Sequence, residues 1–299
     1  MMTFEDAKKI VAPEGQSISK TRSQIIVGDS REKAKDLPGN FYASCITSPP
    51  YWGKRDYGID EQVGAEFELE NYISSLVAIF REIRAKLKED GTLWLNLGDS
   101  YTSGNRTWRA PDKKNPARKM SYRPPTPDGL KPKDLIGVPW RVAFALQEDG
   151  WYLRSDIIWY KPNCQPESVK DRPTMAHEYV FLFSKSEKYY YDHESIKEPS
   201  KTSGKLRNKR TVWEVNTEPF ADAHFATFPK SLIVPMIQAS SREDDFILDP
   251  FFGSGTVGEV CNMLNRKFHG IEINDEYISI AQKRIKSYLK PSRTFCHQC

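Results

Sequence analysis

Phe246-Ile247-Leu248-Asp249-Pro250-Phe251-Phe252-Gly253-Ser254-Gly255-Thr256 is the stretch on which the fold turns. A three-residue apolar strand, Phe246–Leu248, meets an acid and runs into a glycine-containing loop. A helix is expected over Val257–Asn265, then a second strand, Phe268–Ile271, ending in the acid Glu272, and a last helix from Asp275 to about Leu289. This strand–loop–helix–strand–acid order is the unit of a doubly wound α/β sheet, in which glycines let the backbone approach a ligand and an acid at a strand tip takes the hydroxyls of a ribose. The loop is led by Asp249, and no Gly-Lys-Ser/Thr phosphate loop occurs anywhere in the chain. A phosphate cradle at a helix N-terminus would not want that acid. A ligand carrying a ribose and a positive charge, such as S-adenosylmethionine, suits the loop better than a dinucleotide.

Upstream, the same alternation of strand and helix is expected. Strand candidates are Ser23–Asp29, Ala43–Ile46, Thr92–Leu97, Trp151–Tyr160 and Glu178–Phe183, making seven with the two above. A helix over Asn71–Lys88 carries Tyr72, Leu76, Phe80, Ile83 and Leu87 at spacings of three and four. Val138–Gln147 has Pro139 in its first turn and Gly150 past its end, and Pro229–Ala239 reads as helical despite Pro235.

The second strand runs into Thr47-Ser48-Pro49-Pro50-Tyr51-Trp52. Two prolines stiffen the exit and leave carbonyls to accept, so a hydroxyl, free carbonyls and two aromatic faces are expected on one spot. That set suits a flat ring bearing an exocyclic amine. The ring stacks on an aromatic, while oxygens accept the amine hydrogens and localise a lone pair otherwise delocalised into the ring.

The 299 residues suffice for one large α/β domain or two small ones, with net charge +4. No apolar run approaches a membrane span, and the five scattered cysteines argue against a disulfide framework, so a cytoplasmic protein is expected. Basic residues gather in two irregular stretches. Gly104–Lys133 carries nine against two acids, with Trp108 and Tyr122 interleaved, and Lys197–Arg210 carries six against one. Proline-punctuated basic loops of this kind suit the phosphates of DNA. Tyr189-Tyr190-Tyr191 reads as a further strand with alternating faces. Cys296-His297-Gln298-Cys299 has the spacing of half a zinc site with no second half nearby, and no metal is expected.

Together the two motifs resemble those of DNA amino-methyltransferases, over nearly the whole chain from Ile25 to Ile285. The Ser-Pro-Pro-Tyr block precedes the Asp249 loop, as in the circularly permuted β group. The resemblance implies a Rossmann-like, seven-stranded, mostly parallel sheet with helices on both faces, in one catalytic domain spanning 1–299, with 101–134 and 186–222 as target-recognition insertions. It implies S-adenosylmethionine as cofactor. It assigns Ser48, Pro49, Pro50 and Tyr51 to the block that receives a flipped base. Asp249, Pro250, Phe251, Gly253, Gly255 and Thr256 go to the loop that holds the methionine part. Glu272 is matched to the ribose acid, Asp29 to the acid near the adenine, and Phe228 and Lys230 to the block packing beside the cofactor. Trp52, Lys54, Arg55, Arg106, Arg109, Lys113, Lys114, Lys209 and Arg210 are expected on double-stranded DNA. Relatives acting on cytosine N4 usually carry Ser where Ser48 stands, whereas adenine N6 enzymes usually carry Asp or Asn. Cytosine N4 is therefore favoured, with adenine N6 kept open beside an RNA-directed enzyme and a non-catalytic binding module. No Pro-Cys pair exists to attack a cytosine ring covalently. A cognate restriction endonuclease is compatible with the resemblance, as is a monomer or a homodimer.

Overall fold

The computed structural model describes residues 10–12, 16–54, 62–103, 108, 123–200, 202–218 and 228–288. In chain order the elements are β1 (Val11–Ala12), β2 (Gln24–Val27), α1 (Ser30–Asp36), β3 (Tyr42–Thr47), α2 (Leu69–Lys86), β4 (Leu87–Leu97), α3 (Val138–Glu148), β5 (Tyr152–Tyr160), β6 (His177–Ser184), β7 (Glu198–Pro199), β8 (Leu206–Arg207), β9 (Val212–Glu214), α4 (Lys230–Ser240), β10 (Phe246–Asp249), α5 (Thr256–Met263), β11 (Lys267–Glu272) and α6 (Asp275–Tyr288).

Among the described residues, nine strands form one sheet in the order β1-β2-β11-β10-β3-β4-β6-β5-β9. The seven strand candidates other than Tyr189–Tyr191 all lie in it, and β1 and β9 extend its two edges in parallel pairing. Only β6 runs against its neighbours, β4 and β5. The sheet is therefore mostly parallel, as expected, but two strands wider than seven.

Side chains alternate across the pleat, so one face carries Cys45, Leu93, Leu95 and Leu248 against α1, α2 and α3. The other carries Ile46, Trp94 and Ile247 against α4, α5 and α6. Helix α2 buries Leu69, Tyr72, Leu76, Ile79, Phe80 and Ile83 on one stripe. Each such side chain contributes roughly 1.5–3 kcal/mol when fully buried. Helix α3 starts at Gly137, whose φ of 76° is left-handed, and the Asp99 carboxylate at the end of β4 accepts the Gly137 and Val138 N–H groups.

The Tyr189–Tyr191 segment is not a strand. Its backbone is fixed outside the sheet, Tyr190 N donating to Asp90 O and Asp192 N to Ala239 O. Tyr189 and Tyr191 meet edge to face, Tyr191 also stacks on Trp94, and Tyr190 lies under Arg242. No described helix is long and apolar enough to cross a membrane.

Candidate active site

Strands β10 and β3 are parallel neighbours, with Ile247 opposite Ser44 and Leu248 opposite Cys45. From β10 the chain crosses through α5 to β11 on one side, and from β3 through α2 to β4 on the other. The loops leaving these two strands consequently open a crevice at the point where the strand order reverses, the usual ligand position in such sheets. Thr47, 1 % exposed, donates its hydroxyl to Asp249 Oδ1 at 2.6 Å, so two motifs about two hundred residues apart in sequence share a buried hydrogen bond.

Asp249 also accepts the Phe251 N–H at 3.1 Å. Burial outweighs these two donors and, with the charge of Glu272 nearby, pushes its carboxyl up to about 7. Glu272 grips the same loop from the tip of β11: one oxygen accepts the Gly253 N–H at 2.7 Å, the other those of Ile273 and Asn274. Burial raises its pKa against those three donors. Gly255 has φ +79°, and a Cβ there would meet the Ala281 Cβ at 2.9 Å. At Gly253, with φ +52°, a Cβ would meet nothing nearer than the Phe251 carbonyl at 3.9 Å. Its backbone thus borders open space beside two acids, a surrounding that fits a cationic, ribose-bearing ligand.

Around the loop, Ser30 donates to the Pro250 carbonyl, while Arg284 of α6 donates to Ser254 Oγ at 3.1 Å and Thr256 Oγ1 at 2.8 Å and pairs with Glu259. Lys230 pairs with Glu259 at 3.0 Å, and Phe228 packs half-buried against the α4–α6 core. Asp29 caps α1 and pairs with Arg31 at 2.5 Å. Burial pushes Asp29 up, but the Arg31 hydrogen bonds and charge prevail and hold it below the usual carboxylate range.

On the β3 side, Pro49 is buried, Ser48, Pro50 and Tyr51 are half-buried, and the Pro50 carbonyl is occupied by the Tyr72 hydroxyl at 2.9 Å. The Tyr51 hydroxyl donates to Glu178 Oε2 at 2.7 Å, and Lys161 forms an ion pair with the other oxygen of that carboxylate. Burial drives the Tyr51 phenol well above its ordinary value. Lys54 sits 5.3 Å over the Tyr51 ring and donates to the Asp99 carbonyl at 2.7 Å.

Trp52 corrects the expectation of a second exposed aromatic face. It is 4 % exposed within the core, its indole N–H bonded to the Glu66 carbonyl at 2.9 Å, so its ring has no free face for DNA. Of the expected DNA contacts, Lys209 lies 4.9 Å over the Trp213 ring and Arg210 is exposed, both just after the β7–β8 ribbon. Arg55, Arg106, Arg109, Lys113 and Lys114 lie outside the described residues, as does the 296–299 cysteine–histidine tail.

Residues that sequence reasoning passed over are Asn96, Lys161, Ser30 and Arg284, while Glu178, beside His177, reads from sequence as strand-end packing rather than as an acid–base group. Asn96 had a legible signal, a polar residue breaking an otherwise apolar strand just before Gly98. Glu178 was legible only as a strand-end residue, because its partners come from three other segments.

A DNA methylase family profile of the N6/N4 group matches residues 43–283, so the chain belongs to that family. It is 62% identical over 262 residues to the type II methyltransferase M.Cfr9I of Citrobacter freundii, covering 88% of this chain and 87% of that protein. Its fold is similar to that of the cytosine-N4-specific PvuII DNA methyltransferase (TM-score 0.66, 21% identity, 91% of this chain and 88% of the other). It is likewise similar to a putative DNA modification methylase from Thermus thermophilus, solved complexed with S-adenosyl-L-methionine (TM-score 0.61, 21% identity, 89% and 94%). The family resemblance and the mostly parallel α/β sheet read from the motifs both hold.

Proposed function

We propose that this chain is a type II DNA methyltransferase that acts on the exocyclic N4 amine of a cytosine flipped out of duplex DNA, with S-adenosylmethionine as methyl donor. The observation that carries the reading is the Thr47–Asp249 hydrogen bond, which sets the amine-binding block and the cofactor loop against each other. When bound, the cofactor supplies a methyl group on a positively charged sulfur, so the difficult chemistry is its own. The chain's part is to hold and orient.

Asp249, Phe251 and the Gly253–Gly255 backbone border the methionine part, Glu272 the ribose and Asp29 the adenine side. Ser48 and the Pro49 carbonyl accept the two amine hydrogens and draw the nitrogen lone pair out of the ring, while Tyr51 lies against the base face. The base must leave the stack to reach them. Ser48, rather than an acid, at the head of the block favours cytosine, and the PvuII DNA methyltransferase of similar fold is cytosine-N4-specific. The basic stretches 101–134 and 186–222 serve as target-recognition regions on a single catalytic domain, where Lys209 and Arg210 reach phosphates. A restriction endonuclease cutting the same site is the natural partner of such an enzyme.

Methyl transfer from tritiated S-adenosylmethionine to duplex DNA, single-stranded DNA and RNA tests the reading. Label on duplex DNA, recovered as N4-methylcytosine, is expected. Label on RNA alone, or as N6-methyladenine, contradicts it.

A further inference from the structure

Side chains from separate segments converge on Tyr51. Glu178 is the second residue of β6, Lys161 follows the last residue of β5, and Asn96 lies near the end of β4. The Tyr51 hydroxyl donates to Glu178 Oε2 at 2.7 Å, and Asn96 Nδ2 donates to the same oxygen at 3.1 Å and to the Tyr179 carbonyl at 3.0 Å. Lys161 pairs with Glu178 Oε1. Gly98 makes the room: a Cβ there would stand 2.8 Å from Tyr51 Cε2 and 3.1 Å from Glu178 Cδ. On the other side of the phenol, Ser48 Oγ lies 3.4 Å from the Tyr51 oxygen.

Counting protons fixes the direction of this chain. An ionised carboxylate only accepts, so Tyr51 spends its one proton on Glu178. The Asn96 Oδ1 at 3.3 Å is a poorer competitor, because a short hydrogen bond to a charged acceptor is the stronger. The phenol oxygen can then only accept from Ser48. That turns the Ser48 proton toward Tyr51 and leaves the serine's lone pairs for another donor.

We propose that Glu178 is a positioning residue: held against Lys161, it orders the Tyr51–Ser48 chain so that Ser48 meets the target amine as an acceptor. This rests on the reading that Ser48 receives that amine. Among the described residues the charged and titratable groups acting on Glu178 are Lys161, Lys54 and Tyr51. Burial pushes its carboxyl up, but the charge and hydrogen bond of Lys161, the Tyr51 hydrogen bond and the charge of Lys54 together hold it below the ordinary value. Protonated, Glu178 would become a donor and the chain would reverse.

The test is single-turnover methyl transfer to duplex DNA by the full chain and its Tyr51→Phe, Glu178→Gln, double and Lys161→Met variants, with Ser48→Ala in parallel. Loss of one oriented hydrogen bond predicts about a tenfold fall in rate for Tyr51→Phe and for Glu178→Gln, with KM for DNA nearly unchanged. The double variant should be no slower than the slower single, since Glu178 has nothing to orient once the phenol is gone. In Lys161→Met the acid limb of the pH–rate profile should move up toward neutrality. Tyr51→Phe reports even where Glu178→Gln fails to fold, because it deletes a single oxygen. A Tyr51→Phe rate equal to wild type, losses that multiply in the double variant, or an acid limb that stays put in Lys161→Met each overturns the role of Glu178. If Ser48→Ala is then still inactive, the proposed function survives; a wild-type chain inert on every nucleic acid overturns both.

Discussion

Replacing Thr47 with valine keeps the branched shape and deletes one oxygen, the donor at 2.6 Å to Asp249 Oδ1. Both residues are 1 % exposed, so no solvent replaces the lost bond. A hydrogen bond to a charged group contributes about 1.5–3 kcal/mol, and a buried acceptor losing one partner forfeits that order of stability. At roughly 2 °C per kcal/mol for a chain of this size, the melting temperature should fall by about 3–6 °C. The second effect is on binding. The Thr47 hydroxyl is one of the influences that lower the Asp249 pKa from where burial alone would put it, so its removal raises that carboxyl from about 7. Each unit beyond the working pH removes about a factor of ten of the ionised population that a sulfonium would meet. Calorimetric titration with S-adenosylmethionine at pH 7 should therefore show markedly weaker binding by Thr47→Val, and Thr47→Ser should restore most of it. Equal affinity in all three proteins would refute the coupling of the two loops through this bond. A Thr47→Ser protein as weak as Thr47→Val would assign the effect to packing instead.

Asp249 has its folded pKa raised to about 7 from the roughly 3.9 of an unfolded aspartate, so its contribution to stability is present below pH 4 and is lost as pH rises through 7. Urea midpoints of the ligand-free protein should show this decline, and Asp249→Asn should reduce it, leaving the share of Glu272, whose pKa burial also raises. Gly255→Ala should cost about 1–3 kcal/mol and weaken cofactor binding, since left-handed backbone and the 2.9 Å approach to Ala281 act together, whereas Gly129→Ala, at the same φ of +79° with open space around it, should cost only about 1 kcal/mol. Denaturant titration of both variants checks this. Trp52→Ala should cost about 3–5 kcal/mol of stability and leave the salt dependence of DNA binding unchanged, because the ring is buried. Lys209→Ala with Arg210→Ala should instead lower that salt slope by about two, as fluorescence anisotropy at several salt concentrations would show.

The sheet was legible where strands are apolar and flanked by punctuation. The Phe246–Asp249 and Lys267–Glu272 pair and the Ala43–Ile46 strand were found because glycine, proline and acids end them sharply. The edge strands β1 and β9 were not, since two or three residues carry no periodicity and are strands only by pairing with a neighbour. Helix α1 is polar along most of its seven residues and is held by the Asp29 cap rather than by an apolar stripe. At the site, the Ser48–Tyr51 block and the Asp249 loop could be named because their chemistry is local. Their junction through Thr47 and the support from Glu178, Lys161 and Arg284 depend on segments that meet only when the chain folds. Trp52 misled for the opposite reason, since adjacency to Tyr51 does not decide which side chain turns inward.

The most direct measurement is mass spectrometry of nucleosides from the DNA of a host expressing the protein, beside a host expressing Ser48→Ala. N4-methylcytosine in the first and its absence from the second is the expected result. N6-methyladenine in place of it, or N4-methylcytosine persisting in the Ser48→Ala host, would contradict an amine held by Ser48 against the Asp249 loop.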